Sequence, residues 1–487
     1  MRVLLVTPPY HAGVVESAGT WPHVGFIYIA GEVRKAGHEV AIFDAMSEFR
    51  TIEEIRDRLR DYRPDFVGVS AKTPALYAAV DVVKAAKEEV PGVLTALGGI
   101  HPTFCFNDVL TSYPEVDFVV RGEGEQTLPD LLAALSEGGG RRRANLASVR
   151  GISYRQDGEI VSTPSRPFIH NLDALEPAWD LVNWADYKLN FVPGSRVATV
   201  SSSRGCSNEC GFCSQQKFWQ RSHRGRRAEP FLAELEHLHE RYGVNYVMLT
   251  DEYPTRDRAR WEAILDGLIE RRLPLRLLIE TCVADIIRDA DLMDRYREAG
   301  VWHIYVGVEG THQERLDLFK KNIECEQSRQ AIGLINGSGI LSETSFILGV
   351  PEETPDSIAS TLELARHYDP DYAHFLMLAP WPFADMYEQL RPHIETDDFS
   401  KYNLVEPVIR PVAMTRDELM SAAIDCYRRF YMGKLPQWSA LPDGFRRDYL
   451  LGSMQAMLKH SFLRKHMAGL GAMPEDVAAH LTGSPIS

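Results

Sequence analysis

The sequence predicts an α/β fold in two parts, a doubly wound parallel sheet and then a partial (β/α)6 barrel, with a helical C-terminal region. Short apolar runs alternate with amphipathic stretches, the signature of parallel strands joined by crossover helices. The alternation lapses after about residue 135, resumes at 196 and stops near 400. A chain of 487 residues also exceeds what one compact core accommodates. The expected boundaries are 1–140, a linker over 141–190, a barrel over 191–395 and helices over 396–487.

In the first part, "VLLVTP" (3–8) is a strand ended by prolines, and "GFIYIAGEVRKAG" (25–37) has helical spacing with a glycine stop. Further strands are "EVAIFDA" (39–45), "DFVGVSA" (65–71), "VLTALGG" (93–99) and "DFVVRGEGE" (117–125). Helices lie between them, at 52–62 and 76–90, and one follows the last strand through Leu135. Ligands of such sheets bind beyond the strands' carboxyl ends. "SEGGGRRRAN" (136–145) reads as a solvated, flexible boundary, and "ISYRQDGEIVSTP" (152–164) as a hairpin.

Barrel strands are expected at 197–203, 244–252, 275–281, 302–309, 343–350 and 372–380. Active sites of such barrels lie at the strand C-termini. Glu252, Glu280 and Glu309 each close a strand there, which suggests a shared polar pocket. The tail is rich in Tyr, Arg and Met and reads as helices that cap the barrel or form a lid over a flat apolar substrate.

A formal net charge of −15 argues against nucleic acid or an anionic membrane as main partner. No stretch reaches the roughly 18 apolar residues of a membrane span, and "MRVLLVTPP" does not read as a secretory signal. A cytoplasmic protein is expected. Three of its seven cysteines fall in "RGCSNECGFCSQ" (204–215), at spacing C-x3-C-x2-C. In a reducing compartment such a cluster indicates metal or catalysis. Four thiolates would close a zinc or iron–sulfur site, whereas three leave one coordination position open. Zinc competes, but the second ligand pair usual for structural zinc is missing. Cys105, Cys282, Cys325 and Cys426 stand alone and read as small core residues.

Cys206, Cys210 and Cys213, on a loop after the first barrel strand, resemble the motif of the radical S-adenosylmethionine enzymes. The resemblance implies that they hold a 4Fe–4S cluster whose open iron chelates S-adenosylmethionine, the source of a 5′-deoxyadenosyl radical. It places Phe212 near the adenine, Asp251 and Glu252 of "TDE" at the methionine amino group, and Glu309 of "GVE" at the ribose or methionine moiety. Gly349 lies in "SFILGVPEET", the segment that runs past the adenine, and Glu280 joins the same pocket. Where the family often has "TRV", this chain has "TCV" with Cys282. An arginine contact to a carboxylate is therefore absent or supplied elsewhere.

"VSAKTP" (69–74), "GGIHPT" (98–103) and "VVRGEGE" (119–125) resemble the cobalamin-binding domain that precedes the barrel in one subgroup. Ser70, Lys72, Thr73, Gly98, Gly99, His101, Gly122 and Glu123 are the implied contacts. The D-x-H-x-x-G motif that gives cobalt a histidine is absent, so His101 is expected as a loop hydrogen-bond donor and the 72–77 loop as the neighbour of the lower face. A flavodoxin-like docking domain without cobalamin is the alternative.

"YHAGVVESAGTWP" (10–22), "CSQQKFWQRSHRGR" (213–226) and "APWPFADMYEQL" (379–390) resemble the anaerobic magnesium-protoporphyrin IX monomethyl ester oxidative cyclase family, as do "YRRFYM" and "FRRDYLLGSM". The resemblance implies closure of the isocyclic ring of a porphyrin ester with oxygen from water, with cobalamin accepting electrons or delivering hydroxide, and flavodoxin or ferredoxin as electron donor. Trp219 or Trp381 could stack on the porphyrin, and Arg221, Arg224 or Arg428 could pair with its carboxylate. A cobalamin-dependent radical methyltransferase or another radical rearrangement shares nearly all these motifs. A non-catalytic cobalamin-binding regulator would have no use for an open cluster.

Overall fold

The computed structural model describes residues 1–12, 18–140 and 144–460. The chain divides into two compact units. The first comprises Met1–His11, Pro22–Asp186 and Asp398–Ser400. Its strands are β1 (Arg2–Thr7), β2 (Glu39–Asp44), β3 (Phe66–Ser70), β4 (Leu94–Gly98), β5 (Phe118–Val120), β6 (Ile152–Gln156) and β7 (Glu159–Ser162). They form one sheet in the order β2-β1-β3-β4-β5-β6-β7. The first five are parallel, and the hairpin β6–β7 adds antiparallel to β5. Residues 152–162 of the stretch expected as a linker thus extend the sheet, as the hairpin reading of 152–164 expects.

Alternate residues of β1 serve opposite faces. Leu4 and Val6 join one buried cluster with Ile55, Leu59 and Val83 of the helices Ile52–Tyr62 and Leu76–Glu89. Val3 and Leu5 join another with Phe26, Val33 and Leu131 of the helices Val24–Lys35 and Gly124–Glu137. A sheet covered on both faces explains why its strands read as continuous apolar runs.

The Val24–Lys35 helix lies tight against the 176–178 backbone. A Cβ on Gly31 would stand 1.6 Å from the Glu176 carbonyl oxygen. Alanine within a helix ordinarily gains about 1 kcal/mol over glycine. Here Gly31→Ala is expected to destabilise by about 2 kcal/mol, the scale of core overpacking. Denaturant unfolding of the full chain checks the sign; a more stable variant would mean that the helix is not seated there.

The second unit comprises Ala12–Trp21, Tyr187–Asp397 and Lys401–Ser487. Its strands are β8 (Val197–Val200), the short antiparallel pair β9 (Ser203–Arg204) and β10 (Arg224–Gly225), then β11 (Tyr246–Leu249), β12 (Arg276–Cys282), β13 (Val301–Gly307), β14 (Leu341–Leu348) and β15 (Tyr372–Met377). Six of them form an all-parallel sheet in the order β15-β14-β13-β12-β11-β8, the partial barrel. The helix Arg416–Ser439 packs into this unit, where Tyr431 Oη donates to the Ala373 carbonyl at 3.1 Å. The expected C-terminal region is therefore part of the barrel unit as far as residue 460; residues 461–487 lie outside the described ones, as do 13–17 and 141–143. Among the described residues no helix is long and apolar enough to cross a membrane.

Candidate active site

In the first unit the chain crosses from β2 to β3 on the far side of β1, so the strand order switches between β1 and β3, where doubly wound sheets bind ligands. Thr7 donates to the Asp44 carboxylate at 2.7 Å there. Ser70 is half-buried and Lys72 exposed. Thr73 is buried and lies 3.1 Å from His101 Nδ1. Burial pulls the His101 pKa down to about 4, so the ring is neutral at pH 7. The structure places it in the short helix Ile100–Phe104 and not on a loop, where it keeps the hydrogen-bonding part and packs edge-on against Phe399 at 4.9 Å. Gly99 has φ +95° and a Cβ there would stand 2.8 Å from the Ala71 carbonyl oxygen, a position open only to glycine. Gly98 follows β4 in ordinary contacts, and Gly122 faces open space that a bulky ligand could approach. Glu123 turns inward, accepting from the Ile169 amide at 2.8 Å.

In the second unit the cysteine loop is tied down on three sides. The Gly211 amide donates to the Phe319 carbonyl at 3.0 Å, and Phe212 packs edge-on against Phe319 at 5.0 Å. The Met386 amide donates to Gly211, and Asp385 accepts from Gln216 at 2.7 Å and pairs with Lys217 at 3.0 Å. "WPFAD" and "CSQQKFW" are therefore one contact surface. Gly205, just before Cys206, has φ +89°, and a Cβ there would stand 2.2 Å from the Ser222 carbonyl oxygen, so no side chain fits.

The strand-end acids divide their work. Asp251 is buried and wholly engaged, accepting from the Ser202 amide at 2.7 Å and from both the Ser202 and Ser203 hydroxyls at 2.6 Å. It fixes the backbone that leads into the cysteine loop. Glu252 accepts from the Gly205 amide at 3.0 Å and from Trp219 Nε1 at 2.6 Å. Burial raises its pKa, against the pull of those donors. Glu280 is exposed at the end of β12. Glu309 has the left-handed φ of +65°, pinned by its own amide on Ser345 and by the Ile347 amide on its carbonyl. Strain of this kind persists where surrounding structure over-determines it. The Gly349 amide donates to Glu353 at 2.9 Å, and the fully buried Glu353 is clamped by Arg315 through two 3.0 Å contacts.

Several residues with expected roles are engaged otherwise. Trp219 holds Glu252, Arg221 binds Glu209, Gln216 and Asp385, Arg224 lies over the Trp219 ring, and the exposed Arg428 pairs with Asp425 on its own helix. Trp381 remains half-buried beside the loop's anchor. Cys282 is not a simple core residue: Asn208, within the cysteine loop, donates to its sulfur at 3.2 Å. Cys426 is core, while Cys105 and Cys325 are half-buried.

The sequence reading missed a polar column inside the barrel. Glu343 of β14 lies 2.9 Å from His303 Nε2 of β13 and 2.5 Å from His374 Nε2 of β15. Above it Tyr305 and Ser345 share a 2.5 Å hydrogen bond, Ser345 donates to Glu309 at 3.0 Å, and Lys321 donates to Glu309 at 3.1 Å. The available signal was polar residues at every second position of apolar strands, His303 and Tyr305, Glu343 and Ser345.

The three loop thiols lie close enough to disfavour one another's ionisation. Burial pushes Cys206 up to about 12 and Cys213 up to about 11. Thiolates that costly need cations on their sulfurs, which iron supplies.

The chain matches the B12 binding domain family over residues 10–132 and the Radical SAM superfamily over residues 200–365. The two domains define a cobalamin-dependent radical S-adenosylmethionine enzyme, whose cofactors are cobalamin, S-adenosylmethionine and a 4Fe–4S cluster. It is 40% identical to the anaerobic magnesium-protoporphyrin IX monomethyl ester cyclase of Rubrivivax gelatinosus, over 96% of this chain and 84% of that protein. To the cyclase of Cereibacter sphaeroides it is 39% identical, over 94% of this chain and 75% of that protein. The chain belongs to the family of these cyclases. An uncharacterized methyltransferase of Pyrococcus horikoshii is 31% identical over 89% of this chain and 93% of its own length. Among solved structures, the cobalamin-dependent radical enzyme OxsB, with aqua-cobalamin and S-adenosylmethionine bound, shares the fold with a TM-score of 0.71 at 17% identity, over 99% of this chain and 78% of that one. The methyltransferase TsrM from Kitasatospora setae does so with a TM-score of 0.69 at 16% identity, over 96% of this chain and 99% of that one.

Proposed function

We propose that this enzyme performs the oxidative closure of the isocyclic ring of magnesium-protoporphyrin IX 13-monomethyl ester, giving protochlorophyllide with oxygen from water. The observation that carries this is likeness to the cyclases along 96% and 94% of the chain, through both domains and the tail. Cys206, Cys210 and Cys213 are the cluster ligands in this proposal. When bound, cluster and S-adenosylmethionine supply a 5′-deoxyadenosyl radical that can break a substrate C–H bond. The protein's own part is placement. Glu252, held by Gly205 and Trp219, offers acceptors for an ammonium, while Glu309 offers acceptors for a hydroxyl or amine. Phe212 lines the adenine side and Trp381 is left to stack on the porphyrin plate. Asp251 and Asp385 position the loop rather than touch substrate. Ser70, Lys72, Thr73, Gly98, Gly99 and Gly122 border the cobalamin, with His101 and Glu123 shaping the loops behind them. A small reductant, flavodoxin or ferredoxin, and a cytoplasmic location complete the proposal.

Methyl transfer is the second reading, favoured by the 31% identical methyltransferase. Oxo insertion and methylation add the same nominal mass, so labels decide. Anaerobically reconstituted protein is given the porphyrin ester, reductant and methyl-labelled S-adenosylmethionine in heavy-oxygen water. Heavy oxygen in the product is expected; methyl label in it would establish the second reading instead.

A further inference from the structure

Lys321 is a nearly buried ammonium with no role in the account above. It stands at the carboxyl ends of the barrel strands, and its side chain and that of Glu309 are each 12% exposed. Their contact is 3.1 Å. Gly307, at the end of β13, makes the room: a Cβ there would lie 2.7 Å from Lys321 Nζ and 2.8 Å from Glu309 Oε1. The carboxylate cannot swing away, because Ser345 holds its other oxygen and the Glu309 backbone is pinned in the left-handed region. An ammonium has three donors, and among the described residues Glu309 is its one hydrogen-bond acceptor. Its remaining donors are therefore unspent. Both charges lie within electrostatic reach of the cysteines: Lys321 favours the thiolate of the loop's Cys210 and of Cys282 on β12, and Glu309 disfavours those of Cys210 and Cys213. The segment just before Lys321 also anchors the cysteine loop, through the Phe319 carbonyl and the Gly211 amide.

We propose that the Lys321–Glu309 pair sets the reduction potential of the cluster held by Cys206, Cys210 and Cys213. The inference rests on those three cysteines being the cluster ligands. Fixed charge and hydrogen bonds to the sulfurs are the protein's means of moving a cluster's potential, and they act strongly where water is excluded. The ammonium favours the reduced, more negative cluster. The carboxylate opposes it and fixes the ammonium's place, leaving a net effect that depends on which charge stands nearer the sulfurs.

Full-length wild type, K321M, K321R and E309Q are reconstituted anaerobically without S-adenosylmethionine. Iron content is measured, and the midpoint potential is followed through the electron paramagnetic resonance signal of the reduced cluster. K321M should shift the midpoint to more negative values and E309Q to more positive ones, while K321R stays near wild type. Opposite shifts from the two halves of one ion pair are something a merely structural role would not produce. Equal midpoints in all four proteins, or shifts of the same sign in K321M and E309Q, would overturn the proposal. So would an unchanged midpoint in K321M joined to a loss of S-adenosylmethionine binding, which would give the ammonium to the cofactor carboxylate instead. If K321M assembles no cluster, E309Q decides alone: a positive shift supports the pair's role and no shift refutes it. A wild type without iron would refute the cluster assignment itself, a different failure.

Discussion

Replacing Cys213 with alanine is expected to abolish reductive cleavage of S-adenosylmethionine while leaving cobalamin binding intact. Cys213 is half-buried, and the Gln215 amide donates to its sulfur at 3.3 Å. With Cys213 as one of the three proposed ligands, its loss would leave two irons of the cluster without a protein ligand. Bound iron should fall from about four per chain to a small fraction of that. Formation of 5′-deoxyadenosine should fall by far more than the roughly 10–100-fold that changes outside the first ligand shell cost. The residues proposed to border the cobalamin belong to the other compact unit, so the absorbance of bound cobalamin should be that of wild type. Full iron occupancy in the variant would show that Cys213 is no ligand.

The second large effect is on stability. Glu343→Gln should destabilise the protein by about 3 kcal/mol, the lower end for breaking a buried ion pair. In a unit of this size that lowers the melting temperature by roughly 6–12 °C. Burial alone would raise the Glu343 pKa, but His303 and then His374 outweigh it and hold the carboxyl well below the usual carboxylate range. A carboxylate whose folded-state pKa is depressed contributes stability that is present above its unfolded pKa, about 4.3, and is lost as pH falls through the folded one. The Glu343 part of the gap between wild type and E343Q should therefore be lost as pH falls below about 5. Urea unfolding at a series of pH values measures it; a gap that widened as pH fell below about 5 would have the wrong sign.

What could be read in the sequence was what repeats locally. Strand and helix alternation placed all eleven parallel strands and the hairpin near their true positions, because period and turn residues act within a window of some ten residues. The cysteine loop was equally legible, since its spacing is local. What escaped depends on register between strands far apart in sequence. Nothing near Glu343 announces that His303 and His374 flank it, and nothing near Asp385 announces Gln216 and Lys217. Trp219 and Arg221 were assigned outward, toward a substrate, because a sequence does not show that Glu252 and Asp385 are waiting for them. Lys321 escaped for the same reason, being one basic residue among several in "DLFKKN" until Gly307 and Glu309 locate it.

The triplet Asp398–Ser400 belongs to the first unit, where Tyr10 Oη donates to the Ser400 carbonyl at 2.8 Å and Phe399 meets His101. On the ribosome, the amino-terminal sheet therefore emerges complete in its strands yet lacking three residues that are made more than two hundred positions later. At about 5–20 residues per second, that wait is roughly 10–40 s. Until then Tyr77 and His101 lack the ring that packs against both of them, at 6.4 and 4.9 Å, in the finished unit.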